Sequence, residues 1–117
     1  MGLNNSSDIL LDEVIATGAS TRRFLNGAKA TFSANGETSA GAGTAVVSIE
    51  VSNVETPSTA VSADGYADWL VAGTITLTLS ATMSSDGFAL DAPWRWCRAN
   101  ITSISGTDAT VSVLKGS

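Results

Sequence analysis

From Thr74 to Ser80 the chain alternates one polar and one apolar side chain without a break, with Thr74, Thr76, Thr78 and Ser80 set against Ile75, Leu77 and Leu79. Successive side chains of an extended strand point to opposite faces, whereas a helix would scatter these residues around its axis. The alternation predicts a strand with one buried face and one face of hydroxyls. The same period sorts residues Thr44 to Ser52, with Ala45, Val47, Ile49 and Val51 on one side and Ser48, Glu50 and Ser52 on the other. Ala28 to Ala34 reads as a shorter strand. Trp94 to Ser103 and Ala109 to Leu114 read as a closing pair joined through Ser105-Gly106-Thr107-Asp108.

Residue pairs that readily supply the positive φ of a tight turn punctuate these runs. They are Asn26-Gly27, Asn35-Gly36, Asp64-Gly65, Asp86-Gly87 and Ser105-Gly106. Glu37 to Gly43 is low in complexity and reads as a flexible loop. Several short strands separated by frequent turns predict an all-β fold, a single-domain antiparallel β-sandwich or jelly roll, because each strand has one face to bury against a second layer. Asp8 to Thr17 fits less well. Its apolar residues at 10, 11, 14 and 15 suit a short amphipathic helix capped by Ser7, but equally a first strand or an extended N-terminal arm lying on a neighbouring subunit. We take the strand or arm, which divides the chain into residues 1–17 (arm or first strand) and 18–117 (sandwich). The arm reading expects deletion of residues 1–15 to leave the domain folded.

A chain of 117 residues fits one domain. It is too apolar to be disordered, at 44% hydrophobic residues. Only 15% of residues are charged, against about 25% in typical globular domains. The surface is therefore coated with Ser, Thr, Ala and Gly, which suits a protein packed in an assembly and equally a Ser/Thr-rich soluble domain. A net charge of −5, with Arg22-Arg23 the sole adjacent basic pair, argues against nucleic acid and against an anionic membrane surface. No apolar run approaches a transmembrane length. The N-terminus lacks a basic-then-apolar leader, and the single cysteine, Cys97, allows no internal disulfide, so synthesis and folding in a cytoplasm are expected. Cys97 reads as a buried thiol.

Chemistry is scarce. The chain has no histidine, which removes the Ser-His-Asp and Cys-His systems and most zinc sites. No phosphate-binding glycine loop is present. Asp64 and Asp68 flank Tyr66 beside Trp69, as a calcium loop or sugar-binding edge would, but also as a polar turn entering a strand would. Asp86 and Asp91 around Phe88 read the same way. We expect no catalytic residue, cofactor or metal. Trp94-Arg95-Trp96-Cys97-Arg98 holds two of the three tryptophans. In a strand, Trp94, Trp96 and Arg98 share a face opposite Arg95, Cys97 and Ala99. Either one tryptophan enters the core under a stacked arginine, or this face contacts another chain, since Trp and Arg concentrate at interface hot spots.

Three stretches taken together carry a resemblance. Val47-Ser48-Ile49-Glu50-Val51-Ser52-Asn53, Asp64-Gly65-Tyr66-Ala67-Asp68-Trp69 and Gly73-Thr74-Ile75-Thr76-Leu77 precede a Pro-Trp-Arg-Trp-Cys-Arg-Ala strand. A terminal hairpin of Ser103-Ile104-Ser105-Gly106-Thr107 and Ala109-Thr110-Val111-Ser112-Val113-Leu114 closes the chain. This layout, over residues 44–117, resembles the auxiliary head proteins of tailed bacteriophages, also called decoration or cement proteins. The resemblance implies a structural protein that binds the outer surface of an assembled capsid and stabilises it. Its implied partner is the major capsid protein, its form a homo-oligomer, often a trimer, and its place the virion surface after assembly in the bacterial cytoplasm. Interface candidates are then Leu3, Ile9, Leu10 and Leu11 on the arm, with Trp94, Trp96 and Arg98. The alternatives are a tail-tube, fibre or baseplate module, or a carbohydrate-binding β-sandwich using Trp69, Trp94 or Trp96. An enzyme would need a site built from acids alone.

Overall fold

The computed structural model of the chain describes residues 7–25, 30–53, 69–90 and 94–116. Among the described residues nine strands are formed: β1 (Ser7–Val14), β2 (Gly18–Ala19), β3 (Arg23–Phe24), β4 (Ala30–Glu37), β5 (Ala40–Ser52), β6 (Leu70–Leu79), β7 (Ser84–Leu90), β8 (Trp96–Thr107) and β9 (Thr110–Gly116). They make two antiparallel sheets, one in the order β1-β9-β4-β7 and one in the order β2-β8-β5-β6, with β3 also paired to β8. The pairs β1·β9, β2·β8, β4·β7 and β5·β6 nest within one another along the chain. Folding that nested ribbon over itself gives the jelly-roll order, the more specific of the two predicted architectures.

The core lies between the sheets and follows the period of two. Ala45, Val47, Ile49 and Val51 of β5 and Ile75, Leu77 and Leu79 of β6 are all buried. Cys97, Ala99 and Ile101 of β8 complete the inner face of their sheet. Opposite them stand Phe32 and Ala34 of β4 with Val111 and Val113 of β9. Phe32 pairs in register with Phe88 of β7, their ring centroids 5.8 Å apart.

Two readings of the sequence are corrected and a third is narrowed. Asn35-Gly36 and Asp86-Gly87 are not turns but lie inside β4 and β7, paired with each other's strand. A Cβ at Gly87 would collide with the Phe32 carbonyl oxygen, so glycine is there to let two backbones approach. The low-complexity stretch is not a loop either. Its turn is confined to Thr38 and Ser39, and Ala40 to Gly43 begin β5. Thr38 Oγ1 donates to the Gly41 carbonyl (2.7 Å), and a Cβ at Gly43 would collide with the Ser105 carbonyl oxygen of β8. Finally, of the arm or first strand expected at the start of the chain, Ser7–Val14 forms the strand, at the sheet edge beside β9 with Ile9 opposite Leu114 and Val14 opposite Val111. Its register shifts twice, between Ile9 and Leu11 and between Leu11 and Val14. These bulges let Leu10, Leu11 and Val14 all pack on the core, which accounts for their helix-like spacing.

The other pairs of turn residues fall differently. Ser105-Gly106 sits at the end of β8, and the hairpin to β9 turns at Asp108, whose φ is 50°. Asn26-Gly27 and Asp64-Gly65 lie outside the described residues, as does Leu3.

Candidate functional site

The inner faces are closed by the core, so any site made by the sandwich itself is on its outside. The outer face of the β8–β5–β6 sheet is mostly Ser and Thr, with one interruption at its β8 end. Inward-facing Cys97, Ala99 and Ile101 force Trp96, Arg98 and Asn100 outward. Antiparallel pairing sets Arg98 opposite Glu50 on β5, Asn100 opposite Ser48, and Trp96 opposite Ser52.

Directly opposed cross-strand residues are close enough to bond. Arg98 Nε donates to Glu50 Oε1 at 2.6 Å, and Asn100 Nδ2 donates to Glu50 Oε2 at 3.2 Å. Each carboxylate oxygen thus has its own donor. The pair is withdrawn from solvent, with side-chain exposures of 10% for Arg98 and 12% for Glu50. Trp69, just ahead of β6, lies against the guanidinium, whose carbon is 4.4 Å from the ring centroid. A second stack stands beside the first. Arg22 precedes β3, which pairs with β8 so that Phe24 is opposite Trp96, and its guanidinium carbon sits 4.6 Å from the Trp96 ring centroid. Arg22 is exposed and Trp96 half-buried.

The result is a patch of two arginine–tryptophan stacks anchored by a buried ion pair. An ion pair of this kind is costly to desolvate and tolerable only when its hydrogen bonds are satisfied, and here both Glu50 oxygens accept one. Chemically the patch offers flat π surface and guanidinium edges. Among the described residues no three His, Cys, Asp or Glu side chains gather as a metal site would require. Asp86 Oδ1 accepts from the Gly87 amide (2.8 Å), and Asp108 accepts from Ser39 Oγ (3.0 Å), both as turn or strand-edge contacts. Asp64, Asp68 and Asp91 lie outside the described residues.

The sequence-derived candidates are therefore dispersed. Trp96 and Arg98 share the patch. Trp94 is half-buried and packs on the core at its margin, off that face. Leu10 is a core residue at 6% exposure, and Leu11 is half-buried and packs against the core. Ile9 stays 51% exposed on the β1 edge. Sequence reasoning missed Glu50, Asn100 and Arg22 as members. Glu50 carried a readable signal, being a lone acid between Ile49 and Val51 in a strand with buried neighbours on both sides, a position that demands a cation. Arg22 carried none, since its place depends on β3 pairing with β8 some seventy residues later.

Neither a protein-family model, nor a curated protein, nor a solved structure matches the chain.

Proposed function

We propose that this chain is a non-enzymatic structural module that binds the outside of an assembled protein shell and stabilises it, as the resemblance to phage decoration proteins implies. The observation that carries the reading is the Arg22–Trp96 and Trp69–Arg98 patch on the outer sheet face. Tryptophan and arginine dominate interface hot spots, tryptophan because it buries a large area with only two rotatable bonds to freeze and arginine because its planar guanidinium stacks and donates several hydrogen bonds at once. The ion pair beneath fixes the patch before binding, which lowers the ordering cost of association.

Other features fit the same role. A two-layer slab, 17 Å along its shortest axis, can lie flat on a larger surface. A chain with 15% charged residues and a Ser/Thr face packs densely beside its own copies. Such a clamp acts by differential binding: it attaches to the assembled shell and not to its dispersed subunits, so its occupancy shifts the equilibrium towards assembly. Many symmetry-related copies let modest single contacts add up. The partner is then the major capsid protein and the location the capsid surface. A sugar-binding role makes a poorer fit, because the rings of Trp69 and Trp96 each have one face against a guanidinium.

The test is co-sedimentation with capsids of the virus that encodes the chain, with capsid melting followed in parallel. The proposal expects the chain to pellet with the shells and to raise their melting temperature. A chain that stays in the supernatant, or tryptophan fluorescence that responds to oligosaccharides and not to capsids, overturns it.

A further inference from the structure

Sheet edges expose unpaired backbone groups, and proteins protect them with charges, prolines, bulges or short strands. Three of the four edges here carry such protection. β1 bears Asp12 and Glu13, both exposed, and two register shifts. β7 is seven residues long and bears Asp86. β2 and β3 are two residues each, with Arg22 and Arg23 alongside.

The fourth edge differs. β6 is ten residues, Leu-Val-Ala-Gly-Thr-Ile-Thr-Leu-Thr-Leu, with no charge and no proline. Its register shift is confined to its first residues, and from Gly73 to Leu79 it pairs with β5 without interruption. No described strand pairs its other edge. At its far end Ser84 Oγ donates to the Thr78 carbonyl (2.8 Å), so among the described residues the stretch before Thr78 is the length of that edge with no strand beside it. The segment has the alternation, β propensity and neutrality of strands that pair with their own kind.

We infer that β6 is the site where a second copy of this chain docks, the two strands pairing antiparallel about a two-fold axis so that the β8–β5–β6 sheets of two protomers become one. Two observations favour a copy over another occupant. The first is charge: at −5, two chains repel, and β6 itself carries no charged side chain. The second is where the exposed apolar side chains lie. Among the described residues five large ones are exposed, and three of them, Leu70 (52%), Val71 (61%) and Met83 (53%), lie at the start of β6 or in the turn just after it. Antiparallel pairing brings the Leu70–Val71 end of one strand towards the Met83 end of the other. One strand thus supplies both halves of a self-complementary contact, as a two-fold interface requires. The inference does not rest on shell binding and is tested on the isolated chain. It is also distinct from the three-fold assembly that the phage resemblance implies.

Light scattering on the full-length protein should give about twice the 11.9 kDa chain mass, and Thr76→Lys, which places a charge on the exposed middle of β6, should return it to the single-chain mass. Because that variant could fold poorly, Thr76→Cys and Ser33→Cys are compared under mild oxidation. Ser33 is exposed on β4, a central strand of the other sheet, and native Cys97 is buried. Covalent dimer should form with cysteine at 76 and not at 33. A wild-type mass of one or three chains, a Thr76→Lys mass equal to wild type, or equal cross-linking at the two positions overturns the inference.

Discussion

Glu50 and Arg98 are each other's condition for being buried. The pair sits at 2.6 Å with Asn100 bonded to the second carboxylate oxygen and Trp69 over the guanidinium. Removing one partner strands the other charge, so Glu50→Ala should cost about 3–5 kcal/mol in urea unfolding. Replacing both by apolar residues of similar size, as in Glu50→Leu with Arg98→Met, should recover most of that loss. A loss in the double variant equal to the sum of the single losses would show that the pair does not act as a unit. At the same scale, the glycines reveal where sequence reasoning stops. Asp86-Gly87 has the composition of a turn, yet the glycine is needed because the Phe32 carbonyl oxygen occupies the space a Cβ would take. Gly87→Ala should therefore destabilise by about 1–3 kcal/mol, as overpacking does, and a neutral result would restore the turn reading. A pair of letters cannot distinguish a backbone that must bend from one that must be approached.

Among the elements, β5, β6, β8 and β9 were legible because each has one face in the core and alternates accordingly. β1 was legible only as a strand or an arm, because two bulges break its alternation and give Leu10, Leu11 and Val14 a spacing that a helix also satisfies. Its role as an edge strand makes a prediction opposite to that of a free arm. Deleting residues 1–15 should lower the unfolding midpoint and speed amide exchange in β9, which would become an edge. Leu10→Ala alone should cost about 2–5 kcal/mol, the range for a core leucine. A truncated chain as stable as the full one would return these residues to the arm reading. The Arg–Trp patch is likewise an element-level product. Trp96 and Arg98 follow from β8 alone, but Glu50 joins them through the β5·β8 register and Arg22 through the short β3 pairing.

The whole molecule is a jelly roll whose first and last strands pair, Ile9 of β1 with Leu114 of β9, and whose two sheets interleave strands from both halves of the chain. Such a topology could be named from the sequence only as one of two options, because period and turns describe strands and not which distant strands meet. The long-range pairing should also make folding slow, in the ms–s range seen for non-local β folds, which stopped-flow refolding would measure. The same scale holds the functional account, in which one outer face meets a shell while the β6 edge meets a second copy. The measurement that bears on it most directly is the affinity of wild-type chain and Trp96→Ala for assembled capsids of the phage to which the proposed function assigns it. With circular dichroism showing both proteins folded, wild type should bind and Trp96→Ala should bind about 30-fold more weakly, the equivalent of about 2 kcal/mol for a hot-spot residue. No binding by wild type, or equal binding by the two, would contradict the account.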